Sequence, residues 1–212
     1  MYKLFFGLFF LVCLSGCSST SSVNSDYQLD SNSSNGIMLV SIRYIGKYSG
    51  YAVSFSNASK TENRTIQFGE GMALIPIPSK GDYSELGKKA ELFAIELPHG
   101  DYQIDGWNVY SGYATISPAA PISIKFKIEP GQATYLGQFN FVQTDGLGLT
   151  VTGVRVDYLD NFQEDISVMA KNYPNLRKEN ILMGIVQNTT VEGIGGNSGT
   201  SWDIPIVVLP QI

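Results

Sequence analysis

The segment Pro121-Ile-Ser-Ile-Lys-Phe-Lys-Ile-Glu129 restricts the architecture more than any other stretch of the chain. Ile122, Ile124, Phe126 and Ile128 fall on one face of an extended backbone and Ser123, Lys125 and Lys127 on the other, because successive side chains of a strand point to opposite sides. A strand of this kind buries one face and needs a second layer to cover it. Similar runs span residues 37–45, 51–55, 64–68, 91–97, 102–110, 134–141 and 149–156, with Pro or Gly at nearly every junction. Two junctions, Leu97-Pro98-His99-Gly100-Asp101-Tyr102 and Glu129-Pro130-Gly131-Gln132-Ala133-Thr134-Tyr135, read as turns that reverse the chain and start a strand with an inward Tyr: proline fixes φ and glycine accepts φ > 0. The expected fold is mainly β, an antiparallel β-sandwich.

One short helix is expected in the C-terminal third. Over residues 160–171, Phe162, Ile166 and Met169 form an apolar stripe, Asp160 stands where a cap belongs, and Gln163 follows three residues later to complete a capping box. Tyr173-Pro174 ends the run. Residues 180–187 and 204–209 are candidate late strands separated by a loop rich in Gly, Asn and Ser, and residues 80–89 are ambiguous.

The N-terminus reads differently from the rest. Lys3 supplies a small positive region and residues 4–14 an apolar run, the length of a secretory signal and short of the ~20 residues of a spanning helix. Leu14-Ser15-Gly16-Cys17 follows, and it resembles the lipobox of bacterial lipoproteins. The resemblance implies that residues 1–16 are a lipoprotein signal peptide, that Cys17 becomes the first mature residue, and that it carries acyl chains. Each buried CH₂ contributes about 0.8 kcal/mol, so two or more chains anchor stably. Ser18 stands where an Asp favours inner-membrane retention in enterobacterial lipoproteins, so the expected location is the outer membrane, facing either the periplasm or the cell surface.

Cysteine usage agrees with that reading. The chain has two cysteines, Cys13 in the segment to be removed and Cys17 as a thioether, which leaves no thiol for a disulfide, a redox pair or a zinc site. Residues 17–35 are too rich in Ser, Asn and Asp to repay the entropy of ordering. They are expected to form a disordered tether spanning about 23 Å, with the sandwich occupying residues 36–212.

A second resemblance lies in the middle of the chain. Leu97-Pro98-His99-Gly100-Asp101-Tyr102-Gln103-Ile104, then Phe126 to Gly131 leading to Tyr135-Leu136-Gly137, then residues 160–176 with Tyr173-Pro174, look like a group of small bacterial lipoproteins. That group has a transthyretin-like or carboxypeptidase-regulatory-like β-sandwich, related in architecture to Ig-like folds. The resemblance implies a fold and a location, not an activity.

Residues able to do chemistry are sparse. The one histidine, His99, lies in a Pro-His-Gly turn, where an exposed turn residue is the plainer account than a member of a triad. With one His and no mature thiol, a transition-metal site is not expected. Asp157, Asp160, Glu164 and Asp165 carry oxygens suited to calcium but lack its loop pattern, and acids at a helix start are favourable by themselves. The run Gly193 to Thr200 has Ser198 where a dinucleotide fingerprint needs Gly, and no P-loop Lys follows. No catalytic residue and no cofactor are assigned. Trp107, Tyr110 and Tyr113 are the candidate contacts for a partner, since alternation turns at least one of them outward, although core filling accounts for aromatics as well.

Charge excludes one partner class. Losing Lys3 leaves 13 basic against 19 acidic residues, a net of −6, which argues against nucleic acid. The function expected from the sequence is therefore a non-catalytic, membrane-anchored envelope lipoprotein that binds or scaffolds an envelope protein or cell-wall glycan. The alternative is an envelope hydrolase acting on glycan or lipid through scattered carboxylates such as Asp105 or Asp157.

Overall fold

The alternating runs become strands of two facing sheets. The computed structural model describes residues 20–30, 32–71 and 80–203, so Cys17 and the candidate strand at 204–209 lie outside the described residues. The strands are β1 (Asn35–Ile45), β2 (Gly50–Asn57), β3 (Asn63–Phe68), β4 (Ala90–Pro98), β5 (Gly100–Ser111), β6 (Ala114–Pro118), β7 (Ile124–Ile128), β8 (Ala133–Leu147) and β9 (Thr150–Leu159). Helix α1 (Phe162–Asn172) follows, then β10 (Ile181–Met183), β11 (Thr190–Val191) and β12 (Ser198–Trp202).

Sheet A runs in the order β11-β9-β8-β1-β4 with β10 also on β8, and sheet B in the order β12-β6-β5-β2-β3 with β7 also on β5. Aromatic contacts mark the interior between them. Tyr44 of β1 stacks on Tyr51 of β2 at 4.5 Å, and Phe141 of β8 meets the edges of Tyr51 and Trp107 at 5.3 and 6.0 Å. Met38, Val40 and Ile42 share the inward face of β1 with Tyr44, whereas Ser41 points the other way and bonds to α1. Because both faces of β1 are covered, its sequence is nearly continuous in apolar residues instead of alternating.

The sandwich and its C-terminal helix are as the sequence led us to expect, with one difference in strand direction. Sheet B is antiparallel at every pairing. Sheet A is mixed: β1 pairs antiparallel with β4 but parallel with β8, from Ile37 opposite Ala133 to Ile45 opposite Val142. Strand β8 also changes partner along its length, pairing parallel with β10 over Ala133 to Tyr135 and antiparallel with β9 from Gln138 onward. Gly137 sits at this changeover with φ +91°, and a Cβ there would lie 2.7 Å from the carbonyl oxygen of Leu159.

Residues 20–30 correct the expectation of a free tether. The Thr20 amide donates to the Thr65 carbonyl at 2.7 Å, the Val23 amide to the Ala94 carbonyl at 2.8 Å, and the Ala94 amide back to Ser22 Oγ at 3.2 Å. Further along, the Asn175 side chain donates to the Asp26 carbonyl at 3.0 Å, and Val23, Tyr27 and Leu29 pack on the core. Burial, reinforced by Glu96 on β4, pushes the Tyr27 phenol up to about 12. Strands β3 and β4 are edges of the two sheets on the same side of the sandwich, and edges offer unpaired backbone groups. The polar segment therefore acts as a strap, closing both edges at once.

The start of α1 also departs from the expected capping box. Asn161 is the cap residue, without a side-chain capping bond. Asp160 instead accepts the Phe162 amide at 3.0 Å on one oxygen and the Asn188 amide at 2.8 Å on the other, tying the helix start to the loop before β11.

Candidate functional site

The densest polar cluster is buried between α1 and sheet A. Asp165 is 1 % exposed and accepts four hydrogen bonds, from Ser41 Oγ at 2.7 Å, Tyr83 OH at 2.7 Å, Tyr135 OH at 2.8 Å and Asn161 Nδ2 at 2.8 Å. Gln138 Nε2 donates to Ser41 Oγ at 3.1 Å, and the Asn161 amide donates to Tyr135 OH at 3.1 Å. Burial pushes the Asp165 carboxyl up, against the four donors that favour its charged form. The Tyr83 and Tyr135 phenols are held far above their usual range by burial and by that carboxylate. With its acceptor positions filled and its surroundings closed to solvent, Asp165 is suited to clamping the helix onto β1 and β8. The Ser41 hydroxyl donates directly to the carboxylate, without an imidazole between them.

The other acids disperse to separate partners. Asp157 takes Arg155 Nε at 2.9 Å and Nη2 at 3.0 Å together with the Gly193 amide at 3.1 Å. Glu164 pairs with Lys88, and Asp105 accepts a hydrogen bond from the side-chain Nε2 of Gln103. Among the described residues no three His, Cys, Asp or Glu side chains converge as metal ligands, and no helix is long and apolar enough to cross a membrane. His99 lies at the β4–β5 turn, its amide bonded to the Ser34 carbonyl at 3.1 Å and its Nδ1 3.3 Å from the same oxygen.

The three aromatic contact candidates separate. Trp107 is fully buried, and its indole N–H donates to the Ile194 carbonyl at 2.9 Å. It fills the core and ties down the late loop, so its assignment as a partner contact is corrected. Tyr110 is half-buried beside Gly71, and Tyr113 is exposed at the β5–β6 turn. Of the three, Tyr113 is the one that points outward, as alternation required of at least one.

One cleft, of about 490 Å³, lies between the strap and the chain that follows α1. Gln28 and Leu29 form one wall, and Pro174, Asn175, Arg177 and Asn180 the other. Its lining offers carboxamides and a guanidinium and contains no carboxylate, imidazole or hydroxyl. Such a set can hydrogen-bond a polyhydroxylated or anionic group, and it supplies no acid–base pair for turnover. The cleft exists because the strap docks, and for that reason no local motif in the sequence marked Gln28, Arg177 or Asn180.

The chain matches no family model, and neither the curated proteins nor the solved structures gave a match.

Proposed function

We propose that this chain is an envelope lipoprotein, acylated at Cys17 and anchored in the outer membrane, whose sandwich is a non-catalytic module that binds cell-wall glycan. The observation that carries this reading is the strap. The lipobox-like Leu14-Ser15-Gly16-Cys17 is followed, after Ser18 and Ser19, by Thr20, which is bonded to sheet B, and the strap then forms one wall of the cleft. Anchor and binding cleft thus belong to one continuous segment. Carboxamides and an Arg are the groups that recognise sugar hydroxyls and the carboxylates of cell-wall peptides.

Two measurements test the reading. Replacing Cys17 with Ser should abolish lipid labelling and release the protein from membranes. The purified domain should sediment with isolated cell-wall sacculi, and replacing Arg177 and Asn180 together with Ala should remove most of that binding while the circular dichroism spectrum is unchanged. Release of soluble glycan fragments by the purified domain, abolished by replacing Asp105 or Asp157, would favour a hydrolase instead.

A further inference from the structure

Four features meet at one end of the sandwich. The β5–β6 turn holds Tyr113, the β8–β9 turn is flanked by Leu147 and Leu149, the β1–β2 connection begins after Ile45, and β12 ends at Trp202. They are fastened together: the Val151 amide donates to Ser111 Oγ at 2.8 Å, the Asp203 amide to the Tyr113 carbonyl at 2.9 Å, the Gly112 amide to the Gly71 carbonyl at 2.8 Å, and Lys47 Nζ to the Gly148 carbonyl. Leu147 and Leu149 are 69 % and 79 % exposed, and Tyr113, Trp202 and Ile45 each about half exposed. The opposite end is hydrated, presenting Ser59, Lys60, Thr61, His99 and Asp101.

We infer that this apolar end rests in the lipid surface beneath the anchor, with the leucines at the hairpin tip entering the acyl region and Tyr113 and Trp202 at the headgroup level. The inference builds on the anchor at Cys17, and the strap supplies its geometry. Only Ser18 and Ser19 separate Cys17 from Thr20, which is fixed to Thr65 in β3, so the Cα of Cys17 can lie no more than about 11 Å from that of Thr20. From Thr65 to Phe68, at the apolar end of β3, the strand rises about 10 Å. An anchor this short holds the domain against the bilayer, and of the two ends it can reach, one carries two exposed leucines and an aromatic pair. Tyr and Trp favour the membrane interface because one part of the ring system is apolar and the other polar.

Charge does not drive this docking. Lys47 and Lys89 lie at this end together with Glu70, Asp145 and Asp203, so the surface has no excess of positive charge to attract anionic lipid. Docking is therefore expected on uncharged phosphatidylcholine and to withstand salt. Leu182, Val186 and Val191 are also exposed, but β10 pairs with the start of β8 and β11 with the end of β9, at the other end of that hairpin from Leu147 and Leu149.

The protein carries its own probes, because Trp107 and Trp202 are its two tryptophans, one fully buried and one exposed. In the chain from Cys17 onward, Cys17 is the sole thiol and can be coupled to a maleimide lipid in phosphatidylcholine vesicles with brominated acyl chains. This coupling makes the measurement independent of whether cells acylate Cys17, which the mass of the protein from cells reports separately. Bromine should quench Trp202 and spare Trp107, and Trp202→Phe should remove the quenching. Leu147→Asp with Leu149→Asp should lower the quenching by at least half, with coupling and circular dichroism unchanged. Equal Trp202 emission in brominated and plain vesicles, with the protein coupled, would overturn the inference. So would quenching that survives both Asp substitutions, or cross-linking that joins two chains through this end in place of lipid contact.

Discussion

The amide of Thr20 donates to the carbonyl of Thr65 at 2.7 Å, which fixes the chain three residues after Cys17 to the edge of sheet B. The bond belongs to a strap that seals an edge of each sheet, and its consequences can be measured without knowing the ligand.

The amides of Thr20 and Val23 should exchange slowly with solvent, against the rapid exchange of an unstructured Ser-rich segment. Val23→Asp should expose the strap and cost about 1–2 kcal/mol in urea denaturation, part of the burial energy of a valine. Unprotected amides at both positions would show that the segment is free.

Asp165 should be the most costly polar residue to truncate. Asp165→Ala leaves the Ser41, Tyr83 and Tyr135 hydroxyls without their acceptor, and unmet buried groups cost about 1–3 kcal/mol each before relaxation, so a loss of about 3–5 kcal/mol is expected. Tyr135→Phe removes one donor to that carboxylate and should cost about 1–2 kcal/mol. A loss below that of Tyr135→Phe would mean that the carboxylate does not organise the cluster.

Glu91 should make stability fall as pH rises. Burial, reinforced by Asp82, lifts its carboxyl from 4.5 to about 7. The folded value lies above the unfolded one, so the protonated acid favours the native state. Its contribution is complete below pH 4.5 and is lost as pH climbs through about 7. Urea midpoints measured across this range should decline for the parent and decline less for Glu91→Gln. Parallel profiles for the two proteins would remove Glu91 as a source of the slope.

Gly137→Ala should lower stability by about 2–4 kcal/mol, combining the strain of a left-handed backbone with a steric conflict. The new methyl group would meet the Leu159 carbonyl where β8 exchanges one partner for another. A loss under 1 kcal/mol would indicate that the changeover can relax around a side chain.

Much of the fold was legible where one strand face is wet, as in Ile124 to Ile128, because burial on one side imposes a period of two. The parallel pairing of β1 with β8 was not, although the unbroken apolar run from Ile37 to Val40 already carried the mark of a strand covered on both sides. Strand β12, Ser198 to Trp202, is mostly small and polar, pairing with β6 through the backbone and the Ser201 hydroxyl, and so leaves no hydrophobic signature. The strap was misread because average composition conceals three well-placed side chains, Val23, Tyr27 and Leu29. Asp165 had a signal that went unused. It stands three residues after Phe162 and four before Met169, within the apolar stripe of the helix, where a carboxylate must be satisfied internally.

The parallel junction of β1 and β8 also dictates when the protein can fold. Strand β8 begins 88 residues after β1 ends, and such distant pairings form late because closing the intervening chain costs entropy before any contact rewards it. A polypeptide emerging N-terminus first holds an unfinished sheet A until residue 133 and beyond have appeared. Export through a narrow channel demands a chain that has not yet collapsed into its native shape. For a chain exported as we propose, an architecture whose central seam closes last would supply that delay from topology alone.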